Sequence, residues 1–180
     1  MLSLYLSLLE TEQDKKQFSC LYETHLDWMI QISYHYLKNE DDAKDAVHEI
    51  FLDIAKSGKR PPLGSFQETR AYLFICIRNR ATRIIEKRSK IKTASLNEFY
   101  NISSDYNLES DAINKDIKES LLSYISTMPN IYKDVLTLHF VSNFSLKEIA
   151  SILGEPFKTI EARFRRGKML IKEKFKDLDI

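Results

Sequence analysis

Glycine and proline are scarce in this chain, which holds only four of each among 180 residues. Because these residues end helices and shape turns, their scarcity favours long helices. No stretch of note alternates apolar and polar residues as a half-buried strand does. We therefore predict an all-α fold.

Cysteine is equally rare. Cys20 and Cys76 are far apart in helical surroundings and form no Cys-x-x-Cys motif, so we expect both to be small buried apolar residues. The four histidines have no metal-ligand spacing, and there is no Gly-rich phosphate loop or carboxylate pair within an apolar helix face. An enzyme is thus the least favoured class, and we predict no cofactor, no metal and no small-molecule substrate.

The sequence also lacks an apolar run long enough to span a membrane. Its first ten residues, MLSLYLSLLE, are apolar, but Glu12 and Asp14 follow at once. The segment has neither the basic start nor the small-residue cleavage site of a signal peptide. We expect a cytoplasmic protein.

Net charge is small, at +1, which excludes a uniformly basic nucleic-acid binder. The charge is segregated, however. Residues 40–53 contain six acids and one lysine, residues 78–92 seven bases and one acid, and residues 158–176 eight bases and two acids. Such blocks indicate different partners for different faces.

The clearest motif is a helix pair in the last third of the chain. Ser145 and Glu148 form a capping box at the start of one helix, and Gly154 marks its end. We expect Pro156 at the first position of the next helix, with Phe157 filling the core of the turn. A helix, a tight turn and a helix with a basic outer face is typical of a helix-turn-helix.

The basic second helix supplies the candidate DNA contacts of this motif. Arginine reads guanine, a small apolar residue suits a thymine methyl group, and bases further along the helix meet phosphates. The predicted contacts are Lys158, Thr159, Ala162, Arg163, Arg165, Arg166 and Lys172.

The first half of the chain predicts three helices. Asp14 to Leu37 is amphipathic, and Asn39 caps a second helix whose outer face is acidic, with an outward Leu52. After a loop at Lys56–Gln67, a third helix runs from about Thr69 to Arg88, apolar at first and then basic. Its candidate nucleic-acid contacts are Arg78, Arg83, Lys87 and Arg88.

Residues 93–111 are rich in Ser, Asn and Asp and lose the apolar period, so we predict a flexible linker there. Helical pattern returns at about Ala112. The sequence therefore predicts two small helical domains, at 1–92 and 112–180, the second a four-helix domain containing the helix-turn-helix.

Three motifs in this order resemble the sigma-70 family of RNA polymerase sigma factors. The run DAKDAVHEIF from Asp42 resembles D-A-x-D-x-x-Q-E-x-F, and YLFICIRN from Tyr72 resembles W-L-x-x-I-A-x-N. The run TIEARFRRG from Thr159 resembles T-V-x-S-R-L-x-R-[AG]. The short two-domain layout is similar to the extracytoplasmic-function (ECF) group.

The resemblance implies a factor that binds core RNA polymerase, directs it to promoters and assists DNA melting. The acidic helix would dock on the polymerase, the third helix would melt the −10 element with Asn79 reading a base edge, and the helix-turn-helix would read the −35 element. ECF-like factors are usually held by an anti-sigma factor, often membrane-bound. The implied polymerase contacts are Asp42, Asp45, His48, Glu49 and Leu52.

This chain departs from the family pattern at His48, where Gln is usual, at Arg83, where Asp is common, and at Glu155-Pro156 in the turn. Two other interpretations remain open. A helix-turn-helix regulator acting without polymerase would leave the acidic helix without a role. A helical adaptor that binds only protein would leave both basic faces unexplained.

Overall fold

A computed structural model of the chain describes residues 1–57, 65–94 and 112–175, except for the side chains of 90–94 and 112–118. Every regular element in these ranges is a helix, which confirms the predicted all-α class. The chain divides into two compact units, residues 1–97 and 98–180, each with its own core.

The first unit consists of four helices. They are α1 (Leu2–Leu6), α2 (Glu12–Leu37), α3 (Glu40–Ser57) and α4 (Phe66–Ala94). The helices α2, α3 and α4 pack against one another, and α1 lies against α2 and α3. Fully buried Met29, Ile32, Phe51, Phe74 and Ile77 form the centre of the core.

Short polar caps fix where these helices begin. The amide of Asp42 donates to Oδ1 of Asn39 at 2.9 Å, which confirms Asn39 as the predicted cap of α3. Lys38, with a positive φ of 55°, turns the chain sharply between α2 and α3. The amide of Glu68 donates to the hydroxyl of Ser65 at 3.1 Å, so α4 begins earlier than predicted.

Several boundaries and burials differ from the expectations. The helix α1 was not predicted, and α4 extends from Phe66 to Ala94, which makes residues 93–94 helical rather than linker. Residues 95–111, the rest of the predicted linker, lie outside the described residues, as do 58–64 of the predicted loop. Cys20 is exposed, contrary to expectation, because it lies on the α2 face turned away from the core, while Cys76 is partly buried.

The second unit consists of α5 (Ala112–Thr127), α6 (Asn130–Phe140), α7 (Leu146–Leu153) and α8 (Phe157–Lys174). Its core is built from Ile125, Met128 and Leu136, against which Phe164 and Ile171 of α8 pack. A Cβ atom at Gly167 would lie 2.9 Å from Cδ1 of Leu136. Glycine therefore permits the close approach of α8 to α6.

The turn between α7 and α8 follows the sequence closely. Ser145 and Glu148 form the predicted capping box, and Gly154 ends α7 with a φ of +66°. Pro156 is the N-cap of α8, one position before the place expected for it. The expectation for Phe157 is wrong, because its side chain is 41% exposed. The fully buried side chain near the start of α8 is that of Ile160.

We expect Ser145→Ala to lower the free energy of unfolding of the second unit by about 0.5–2 kcal/mol, because the Glu148 amide loses its acceptor. Chemical denaturation of the full chain measures the loss. Ser151→Ala is the matched control, since Ser151 is an exposed serine of the same helix. Equal destabilisation by both changes would refute the role of the cap.

Candidate functional site

Four acids spaced one turn apart line the exposed side of α3. We call Asp41, Asp45, Glu49 and Asp53 the acidic strip; all four are exposed, while Val47 on the opposite side is fully buried. Like charges at a spacing of four residues destabilise a helix by a few tenths of a kcal/mol per pair. The strip therefore needs compensation from elsewhere in the protein.

Part of this compensation comes from α4. The guanidinium of Arg80 contacts Glu49 at 2.7 Å and Asp53 at 2.5 Å. Arg88 contacts Asp42, beside the strip, at 2.5 Å. Asp41 and Asp45 form no ion pair with the described residues, so the uncompensated charge of the strip is concentrated at its N-terminal half.

The helix α1 lies at the edge of the strip away from α4. The hydroxyl of Tyr5 is hydrogen-bonded to Nδ1 of His48 at 2.7 Å. The ring of Tyr5 also packs against Phe18, with ring centroids 5.6 Å apart, and against Phe51, at 6.2 Å. His48 is consequently half-buried; Leu52, which was expected to point outward, is half-buried as well.

The basic half of α4 divides into two rows. Arg80 and Arg88 face α3 and pair with its acids. Asn79, Arg83 and Lys87, again spaced by four residues, are all exposed and form an open row that we call the basic row. Arg78 is half-buried and belongs to neither row. Of the predicted DNA contacts on α4, Arg88 is therefore already engaged, and a phosphate would have to compete with Asp42 for it.

The helix α8 presents a basic outer face opposite its buried Ile160 and Gly167. Five predicted contacts are exposed on it: Lys158, Ala162, Arg165, Arg166 and Lys172. Thr159 and Arg163 are half-buried, and Arg163 contacts Glu155 at 3.2 Å. Arg163 thus ties α8 to the preceding turn, because its partner Glu155 lies in that turn.

A cluster that the sequence did not predict lies between α2 and the start of α4. The guanidinium of Arg70 stacks 4.8 Å from the ring of Trp28 and 4.5 Å from that of Phe66. Burial, with the nearby charge of Arg70, lowers the pKa of His25 from its ordinary value, so His25 stays neutral at pH 7. The cluster joins α2 to the first residues of α4, which precede the basic half of that helix.

Sequence reasoning also missed the roles of Arg80 and Tyr5. A signal for Arg80 existed in the spacing of Glu49 and Asp53, which one guanidinium can bridge. Within the described residues no His, Cys, Asp and Glu side chains cluster as metal ligands do. None of the helices described is long and apolar enough to cross a membrane.

Both units match models of one family. Residues 21–91 match Sigma-70 region 2, and residues 118–171 match Sigma-70, region 4. The chain is 24% identical over 177 residues to the ECF RNA polymerase sigma factor SigW of Bacillus subtilis, covering 92% of each. It is 23% identical over 155 residues to the ECF RNA polymerase sigma factor SigE of Mycolicibacterium smegmatis, covering 85% of this chain and 59% of that protein.

Two solved structures share the fold. The sigma factor RpoE from Bartonella quintana, in complex with the anti-sigma factor NepR, has a TM-score of 0.74 at 20% identity, with 92% of this chain and 99% of RpoE covered. CnrH, in complex with the cytosolic domain of CnrY, has a TM-score of 0.61 at 17% identity, with 99% and 96% covered.

The two region matches fall in the expected order, and the likeness to SigW and SigE extends over the residues between them. The basic helix-turn-helix alone would suit many DNA-binding proteins, whereas the preceding unit would not. The chain belongs to the sigma-70 family of RNA polymerase sigma factors, non-enzymatic initiation factors, and within it to the ECF group.

Proposed function

We propose that this ECF sigma factor binds its partners through three surfaces. The acidic strip of α3 docks on core polymerase, and the basic row of α4 holds opened −10 DNA. The outer face of α8 reads the −35 element. The observation that carries the proposal is the segregation of charge within the first unit. An acidic surface and an open basic row lie on adjacent helices and stay distinct, as two partners of opposite charge require.

Polymerase docking is assigned to Asp45 and its neighbours. Asp45 is exposed at the middle of the strip and has no described ion-pair partner, so its charge is available to a basic partner surface. Asp42 and Glu49 contribute charge that α4 already shares, and His48 and Leu52 contribute contact area. Complementary charge of this kind speeds association and fixes the register of the complex.

The −10 element is assigned to the basic row. Extruding a base from the stack costs a few kcal/mol, which backbone contacts and a polar partner for the base must offset. Arg83 and Lys87 supply charge for the backbone. Asn79 can read a base edge with two hydrogen bonds, and its side chain is exposed at the start of the row. Arg78 and Arg88 add charge beside it.

The −35 element is assigned to α8 in the major groove, where recognition helices lie. Arg165, Arg166 and Ala162 are placed to meet base edges, while Lys158 and Lys172 meet phosphates. Thr159 is half-buried beside them, and Arg163 of α8 is paired with Glu155 in the turn. A regulator that binds its operator without polymerase is the second candidate, but it leaves the first unit and its acidic strip unused.

A protein inhibitor is a further proposed partner. RpoE and CnrH, whose folds this chain shares, were each solved in complex with another protein: RpoE with the anti-sigma factor NepR, and CnrH with the cytosolic domain of CnrY. We propose that this factor works in the cytoplasm and that an anti-sigma factor, free or membrane-bound, competes with polymerase for it.

We expect Asn79→Ala to reduce promoter opening more than promoter recruitment, because the amide is assigned to a base that is exposed only after melting. Permanganate reactivity of thymines measures opening, and a mobility shift with the same holoenzyme measures recruitment. Gln67→Ala, which removes an exposed amide at the start of the same helix, is the control.

For the wild type, thymine reactivity should appear only when core polymerase is present, which also tests the function itself. Equal reactivity for Asn79→Ala and wild type would remove Asn79 from the site. Reactivity or specific binding without core polymerase would favour the independent regulator.

A further inference from the structure

The N-terminal helix α1 carries apolar side chains that its own fold leaves uncovered. Leu4 is 54% exposed, and Met1 and Leu8 are exposed as well, whereas Tyr5 between them is 1% exposed. Residues 1–9 contain no charged side chain. One side of this short segment is therefore anchored in the unit, and the other presents apolar surface to its surroundings.

Tyr5 makes the anchor rigid. Its ring packs on Tyr22 at 5.8 Å between centroids, in addition to Phe18 and Phe51, and its hydroxyl is bonded to His48. Because the segment is held by buried aromatic contacts, a partner that binds it does not have to order it first.

The segment borders the acidic strip. With 3.6 residues per turn, His48 and Glu49 lie on opposite edges of the α3 face centred on Asp45 and Leu52. Glu49 is bonded to Arg80 of α4, and His48 to Tyr5 of α1. The strip therefore has a charged flank on α4 and an uncharged, apolar flank on α1.

The strip alone is too small for a stable interface. From Asp41 to Asp53 it extends about 18 Å along one helix face, whereas stable protein interfaces bury about 800 Å² on each partner. The partner must cover at least one flank. The α4 flank leads to the basic row, which is assigned to DNA, while the α1 flank offers the apolar, charge-depleted surface typical of interface centres.

We infer that residues 1–9, with α1 and the exposed Leu4 and Leu8, form the apolar half of the docking surface for core RNA polymerase, continuous with the acidic strip across the Tyr5–His48 contact. The inference rests on the proposed docking function of the strip. It gives the substitution of His48 for the usual glutamine a role, since the imidazole joins the two halves.

The test measures the affinity of the full chain for purified core polymerase without DNA. Leu4→Ser with Leu8→Ser should weaken binding about tenfold. Met169→Ser should leave it unchanged, since Met169 is equally apolar and 56% exposed, but lies on α8. Tyr5→Phe keeps the ring and removes the bond to His48, and we expect a smaller loss. Thermal unfolding checks each variant, and Leu4→Ser alone decides the case if the double variant is unstable.

Different failures have different meanings. If the leucine variant binds core normally while Asp45→Arg does not, the inference about α1 is wrong and the strip remains the docking surface. If both bind normally, the proposed docking surface is wrong together with the inference. A loss shared by Met169→Ser, or a change only in self-association, would also overturn the inference, the latter because a second copy of the chain would then cover α1.

Discussion

Asp45→Arg is expected to weaken binding to core RNA polymerase by about 2–5 kcal/mol, a loss of roughly thirtyfold or more. Asp45 is exposed, belongs to the acidic strip and has no described ion-pair partner. Reversing its charge therefore removes attraction and adds repulsion without breaking an internal contact. Titration of labelled protein with core polymerase, without DNA, measures the change.

Asp45 is a cleaner position than Glu49, whose replacement would leave Arg80 without one of its two partners. Glu86→Arg is the matched control, because it makes the same charge change at an exposed site of α4 in the same unit. Both variants should unfold at the temperature of the wild type. Unchanged core binding by Asp45→Arg would exclude the strip as a docking surface.

Arg166→Ala should cost about 1–3 kcal/mol at the preferred −35 sequence and relax the preference at one or two positions. Arg166 is exposed on the outer face of α8, where arginine can bond to guanine through two donors. Lys172→Ala should act differently, because a phosphate contact carries no sequence information. We expect it to weaken all sequences alike and to reduce the salt slope by about one.

The comparison uses polymerase-bound protein and a library randomised at the −35 element. Sequencing of bound DNA reports preference, and titrations at several salt concentrations report the slope. If Arg166→Ala lowered affinity evenly across the library, Arg166 would contact phosphate, and the proposed facing of α8 would be wrong.

Local signals predicted the second unit well because its structure depends on residues close together in sequence. The capping box of Ser145 and Glu148 and the left-handed Gly154 are fixed within a few positions. The failure at Phe157 has the same origin. Its apolar side chain predicted burial, but the N-cap Pro156 places Phe157 at the first position of α8, where its side chain is 41% exposed.

The first unit was less predictable because its important contacts join distant residues. Tyr5 and His48 are 43 positions apart, and Arg80 and Glu49 are 31 apart. The amphipathic pattern of residues 14–37 predicts one buried side, whereas α2 packs on both α3 and α4. Its buried residues therefore include His25, Trp28 and Tyr36, which a single apolar stripe does not contain.

The site residues were predicted partly from charge pattern and partly from family resemblance, and their roles stay predictions. Charge pattern located the acidic strip and the basic half of α4. It could not show that α4 splits into two rows, because pairing with α3 depends on how the helices pack. Arg88 was assigned to DNA for that reason, although it lies against Asp42.

The most direct test of the claim that this chain is a sigma factor is run-off transcription on fragmented genomic DNA. The reactions contain core polymerase alone, core polymerase with this chain, or this chain alone. Sequencing of transcript 5′ ends then locates the start sites. We expect a small set of start sites that share upstream −10 and −35 elements and appear only when both proteins are present. Start sites identical with and without the chain would contradict a sigma factor.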